Sequence, residues 1–150
     1  EEEEYVQVAA EGPLKPTDIK TLPYPGFPTD VQSQMMALLA TCQGTSVIVE
    51  NVFENRLQMA EELNRMGANI KVEGQTAVVQ GVEKLYGAQV RSCDLRSGAG
   101  LVLAGLAAEG VTEVSNIELI DRGYENFEQK LNQLGAQIRR VQVSNDGVER

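Results

Sequence analysis

Two periods of hydrophobic and polar residues take turns along this chain. Over residues 120–138 (IDRGYENFEQKLNQLGAQI), Tyr124, Phe127, Leu131 and Leu134 recur at the three-and-four spacing of a helix with one buried stripe. Gly135 follows the last of them, and glycine alone enters the left-handed region at little cost, so the helix is predicted to stop there. A strand is expected to begin near Ala136. The same pattern stands earlier, over residues 51–70 (NVFENRLQMAEELNRMGANI), where Leu57, Ala60 and Leu63 lead to Gly67. Leu63, Asn64, Gly67, Ala68 and Ile70 recur as Leu131, Asn132, Gly135, Ala136 and Ile138, at a constant offset of 68 (131 − 63 and 138 − 70). The chain contains an internal repeat.

Around these two helices the shorter period predicts strands at residues 5–10, 18–21, 46–49, 76–81, 88–92 and 114–117. A further helix is predicted from Val31 to about Thr41, with Thr29 or Asp30 as N-cap and Val31, Met35, Leu38 and Leu39 on its inner side. Its counterpart, residues 97–108 (SGAGLVLAGLAA), is apolar nearly all round and should be buried on most sides. Pro23, Pro25 and Pro28 make residues 22–29 a stiff loop. Each copy therefore reads β-α-β-α-β-β, an α/β fold. Residues 18–87 form one repeat, and residues 88–143 form a second that lacks its last strand. Residues 5–17 read as the end of a preceding repeat, because shifting by 71 places Val8 on Val79 and Ile19 on Val90. The pattern describes an incomplete domain with one copy missing, in which a strand near Val143 needs a partner from elsewhere.

Composition narrows the chemistry. The 150 residues include no His and no Trp, so a histidine general base, a Ser–His pair and a histidine metal site are all excluded. Net charge is −9, and residues 1–50 hold eight acidic side chains against two basic ones. No basic stripe exists to neutralise a phosphate backbone, which argues against nucleic acid as a partner. Cys42 and Cys93 have no metal-like spacing and read as reduced thiols of a cytoplasmic protein. No apolar run is of membrane-spanning length, so no membrane partner is expected.

The arginines gather in two recurring polar loops. Phe27-Pro28-Thr29-Asp30 matches Asp94-Leu95-Arg96-Ser97 at the starts of the buried helices, and Phe53-Glu54-Asn55-Arg56 matches Ile120-Asp121-Arg122-Gly123 before the amphipathic ones. Asp30 and Arg96 hold equivalent positions, each fourteen residues before a glycine (44 − 30 and 110 − 96). A buried helix start offers free N–H groups and a positive dipole end to an anion, and arginine adds a planar fork for carboxylate or phosphate. Plainer readings stand beside this one. Asp30 reads more simply as an N-cap, Arg96 as a partner of Asp94, Arg56 as a partner of Glu54, and Arg122 as a partner of Asp121 or Glu125. Gly98 and Gly100 serve close helix packing.

Taken in order, TLPYPGFPTDVQSQ, VFENR, RMGA, DLRSGAGLVLAGLAAEG and IDRGYE resemble the UDP-N-acetylglucosamine enolpyruvyl transferases, over residues 18–141. The resemblance implies the last two units of a domain built from three βαβαββ units around buried central helices, an inside-out α/β barrel. The polypeptide's own N-terminal strand would complete that domain. It implies transfer of enolpyruvyl from phosphoenolpyruvate to the 3′-hydroxyl of UDP-N-acetylglucosamine, a step of peptidoglycan precursor synthesis, by addition and elimination and without a cofactor or metal. Asp30 of FPTD is implied as the base, Arg122 of IDRGYE as the contact of the phosphoenolpyruvate carboxylate, and Val52 as a nucleotide-sugar contact. Arg56 and Arg96 are implied as cleft arginines. A catalytic loop cysteine of the family has no counterpart in this chain, and neither Cys42 nor Cys93 stands in its motif. Glu118-Leu119 replaces the Tyr-His common before IDRGYE. The chain alone is expected to be inactive. The other reading is a non-catalytic module that binds a nucleotide sugar or another anion through the same repeat.

Overall fold

The computed structural model describes residues 7–142. The first repeat runs β1 (Ile19–Lys20), a 3₁₀ turn (Thr29–Val31), α1 (Gln32–Leu39), β2 (Thr45–Val49), α2 (Met59–Arg65), β3 (Asn69–Glu73) and β4 (Thr76–Gln80). Its four strands form one sheet in the order β1-β2-β4-β3, with β1 and β2 parallel and the β2–β4 and β3–β4 pairs antiparallel. The predicted β-α-β-α-β-β order holds for this copy. One face of the sheet is dry: Ile19, Ile48, Ile70, Ala77 and Val79 all point into the core, each at most 5% exposed. Val78 lies on the opposite, open face, as period-two alternation requires, while Val72 shares the face of Ile70 but is exposed near the end of β3.

The second repeat runs β5 (Gln89–Arg91), α3 (Leu95–Ala107), β6 (Glu113–Ser115), α4 (Glu118–Asp121) and α5 (Phe127–Gln133). β5 and β6 pair in parallel, as β1 and β2 do. Here the predicted strand after Gly135 does not form within the described residues. Residues 136–142 carry no strand, because no neighbouring strand among the described residues supplies ladder partners there. Its expected end near Val143 lies outside the described residues. The predicted strand at residues 5–10 fares similarly: residues 7–10 are exposed and irregular, while Tyr5 and Val6 lie outside the description. The short helix α4 was not anticipated from the pattern, since its four residues span barely one turn.

The repeat is reproduced down to its caps. At the end of α2 the Gly67 N–H donates to Asn64 O (3.0 Å) and Ala68 N–H to Leu63 O (3.1 Å). At the end of α5 the Gly135 N–H donates to Asn132 O (2.9 Å) and Ala136 N–H to Leu131 O (3.0 Å). Gly67 and Gly135 sit at φ +90° and +95°, the left-handed geometry that this double-bonded cap demands. The side chains of Asn64 and Asn132 then bracket the backbone of Ile70 and Ile138 respectively, each through one donated and one accepted bond.

Two faces differ from the reading of the sequence. α1 buries Gln32, Ser33, Met36, Ala37 and Leu39 and leaves Val31 and Leu38 more than 40% exposed. Its inner face is rotated because α3 packs against it, and polar residues are covered as a result. α5 carries the predicted stripe, yet none of its residues is buried and Leu134 is 85% exposed. α3 behaves as expected over its first half, burying every residue from Ser97 to Val102. A Cβ added at Gly100 would lie 3.0 Å from Ser33 O and 2.8 Å from the Met59 side chain, so glycine is what lets α3 approach α1 and α2.

Candidate functional site

Two helix starts converge because α1 and α3 pack together, and that contact brings the two equivalent loop positions face to face. The Asp30 carboxylate accepts a hydrogen bond from Arg96 Nε at 2.5 Å, and Arg56 Nη1 lies 3.7 Å from the same oxygen. Asp30 is therefore not an N-cap. Neither the 3₁₀ turn nor α1 has a side-chain cap, and Pro28 occupies the N-cap position of the turn. The plain readings of the arginines give way as well. Asp94 is occupied in capping α3, accepting from the Arg96 and Ser97 N–H groups while the Ser97 hydroxyl takes the Asp94 N–H in a capping box. Arg96 is thereby free to reach across to Asp30. Arg56 turns away from Glu54, lies over the Phe53 ring at 4.0 Å and donates to Thr29 Oγ1 at 2.6 Å.

Beneath this ion pair lies a residue that sequence reasoning missed. Glu50 is 1% exposed and follows directly on β2. Its Oε1 accepts from Thr21 Oγ1 (2.8 Å), Val52 N–H (2.9 Å) and Phe53 N–H (3.1 Å), and its Oε2 accepts from Thr29 Oγ1 (3.0 Å). Burial alone would raise its pKa, but the four hydrogen bonds outweigh burial and hold it below the ordinary glutamate range. One carboxylate thus ties together the end of β1, the turn that carries Asp30 and the loop that carries Val52. Val52 remains 37% exposed beside it. Nothing in the sequence marks Glu50, because a single acidic residue after a strand looks like a solvated loop end.

Arg122 stands apart from the cluster. It is exposed at the end of α4, and among the described residues it has no carboxylate partner. Asp121 pairs instead with Arg140, which also reaches Glu128 at 3.1 Å. Hydrogen bonds to Arg140 lower the pKa values of both carboxyl groups. The turn is nevertheless docked beside the helix starts. Gln34 of α1 donates to the Tyr124 hydroxyl at 3.0 Å, and Gly123 is packed on the side chain of Leu95 at the start of α3. At the far end of α3 an open groove lined by Gly105, Leu106, Ala108, Gly110, Gly135, Ala136 and Gln137 holds none of the predicted residues and no titratable side chain. The charged side chains named above lie at the helix starts and not in this groove.

The profile of the EPSP synthase (3-phosphoshikimate 1-carboxyvinyltransferase) family matches residues 1–131. The chain belongs to that family. Within the family, the relatives compared carry the transferase name expected from the motifs. It is 69% identical over 141 residues to the UDP-N-acetylglucosamine 1-carboxyvinyltransferase of Desulfofundulus thermocisternus, covering 94% of this chain and 58% of that protein. It is 62% identical to such a transferase of Carboxydothermus hydrogenoformans, covering 94% of this chain and 34% of that protein. The chain thus spans between about a third and somewhat over half the length of these two relatives. Among solved structures, the enolpyruvyl transferase NikO from Streptomyces tendae superposes with a TM-score of 0.78 at 34% identity, over 85% of this chain and 29% of that one. The enolpyruvyl-transferase fold expected from the motifs is borne out, for part of a domain.

Proposed function

We propose that this chain is the part of a UDP-N-acetylglucosamine enolpyruvyl transferase that supplies the sugar-side base and a set of cleft arginines. The observation that supports the reading is the meeting of Asp30, Arg56 and Arg96 at two adjacent helix starts. In this reading Asp30 takes the proton of the 3′-hydroxyl as that oxygen adds to C2 of phosphoenolpyruvate. The proton needed at C3 and a further share of the anion contacts come from outside this chain. Loss of a C3 proton and of phosphate from the resulting ketal then restores the double bond and gives the enolpyruvyl sugar. A general base must lie within hydrogen-bond reach of the proton it removes, and the 63% exposed Asp30 side chain is open to such a substrate. Arg122 binds the phosphoenolpyruvate carboxylate, Val52 lies against the nucleotide sugar, and Arg56 and Arg96 offset the negative charge of the phosphates. Residues 18–87 and 88–143 act as two of three repeats. The work belongs to the cytoplasm, in peptidoglycan precursor synthesis, and through it to cell shape and division.

Asp30→Asn in the transferase that carries this chain should lower kcat by about 10²-fold or more, the usual contribution of a positioned base. Unchanged turnover would remove Asp30 from the mechanism. The 150-residue chain by itself should show no turnover. Competition separates the two branches of the family: UDP-N-acetylglucosamine should protect the site, and protection by shikimate 3-phosphate instead would reassign the substrate.

A further inference from the structure

Glu50 is buried, ionised and one hydrogen bond removed from the charged cluster. Thr29 has a single hydroxyl proton, and two neighbours that compete over how it is used. A carboxylate can only accept, and a guanidinium can only donate. With Glu50 Oε2 at 3.0 Å and Arg56 Nη1 at 2.6 Å, the Thr29 hydroxyl must donate to Glu50 and accept from Arg56. The chain of contacts runs Glu50, Thr29, Arg56, Asp30, with Arg96 closing on Asp30 from the other helix. Its uneven spacing is informative. Arg56 is at full hydrogen-bond distance from the neutral hydroxyl yet 3.7 Å from the anionic Asp30, where electrostatics alone would draw it. Arg56 is well placed to be held so, since its side chain is only 11% exposed and its guanidinium lies on the Phe53 ring.

We propose that Glu50 is a positioning residue: by orienting the Thr29 hydroxyl it retains Arg56 and leaves Asp30 with one close guanidinium, that of Arg96. A second consequence follows for the sugar side. Oε1 of the same carboxylate fixes the Val52 and Phe53 N–H groups, so the loop that carries Val52 and the placement of Arg56 are held by one group. The role of Asp30 as base rests on the function proposed above, but the geometry of the relay does not. The charged groups that face this pair are Arg56 from the loop before α2 and Arg96 from α3.

The test is side-chain ¹⁵N–¹H NMR of the Arg56 guanidinium in the 150-residue chain, with and without Asp30→Asn, which requires no substrate. Glu50→Gln keeps the shape of the side chain and removes its charge, so the hydroxyl is no longer compelled to accept from Arg56. Arg56 then closes on Asp30, so Asp30→Asn should move the Arg56 Nη–H signals more in this background than it does in the parent. Thr29→Val removes the relay while Glu50 keeps its charge and should give the same larger response, whereas Thr29→Ser should keep the response of the parent. A response of Arg56 to Asp30→Asn no larger than the parent's, in a folded Glu50→Gln or Thr29→Val protein, overturns the proposal. If Glu50→Gln fails to fold, the threonine pair still decides. The larger response together with unchanged turnover of Asp30→Asn in the transferase that carries this chain would retain the relay and sink the functional reading instead.

Discussion

Single residues in this molecule are best understood by what they tie together. Asn64 closes the α2–β3 turn with two backbone bonds to Ile70 (2.8 and 2.9 Å), replacing partners that the irregular turn cannot provide. Asn64→Ala should cost about 1–2 kcal/mol in urea unfolding, because both backbone groups lose their partner. Glu50 adds a dependence on pH. Its folded pKa lies below the ordinary value of 4.5, so its stabilisation is fully present above that pH and is lost as pH falls through the folded value. Acid unfolding followed by circular dichroism should therefore be less steep for Glu50→Gln than for the parent below pH 4.5. The two thiols differ through burial: Cys42 is 2% exposed and Cys93 is on the surface. Burial raises the pKa of both, and Glu62 and Asp94 add to the effect at Cys93. Native alkylation at pH 8 should label Cys93 slowly and Cys42 only after unfolding, with mass spectrometry reading the order.

At the scale of elements, the decisive contact is α1 against α3. It is a backbone approach made possible by Gly100, and it is what sets Asp30 beside Arg96. Gly100→Ala should destabilise the chain by about 1–3 kcal/mol, since Met59 and the Ser33 carbonyl would have to move. The same substitution should disturb the Asp30–Arg96 pair, which NMR of the Arg96 Nε–H would register. Helix starts and stops were legible in the sequence wherever a local rule governs them. Gly67 and Gly135 end their helices as predicted, by the same cap. The N-cap assigned to Asp30 failed because an acidic residue near a helix start satisfies the rule whether or not its side chain turns back. Here the pull of an arginine 66 positions away outweighed a local backbone N–H.

For the molecule as a whole, the two repeats are alike in sequence but unequal in burial. The four-stranded sheet and α1–α3 enclose the core, whereas α5 has no buried residue. Hydrogen exchange should accordingly find the α5 amides far less protected than those of α3, since local opening follows the apolar area that holds an element down. Periodicity, glycine caps and the constant offset by themselves determined the internal repeat, the order of elements in the first copy and the α/β class, because helix and strand periods and caps are encoded by neighbours within a few residues. The motifs recovered the family, and with it the loops where charge gathers. What only the tertiary structure decided is which charges meet. Asp30 finds Arg96 and Arg56, Asp121 finds Arg140, and Glu50 gathers hydroxyls and amides from three segments. Such partners are far apart along the chain, and electrostatic attraction acts on distance in space once packing has drawn the helix starts together.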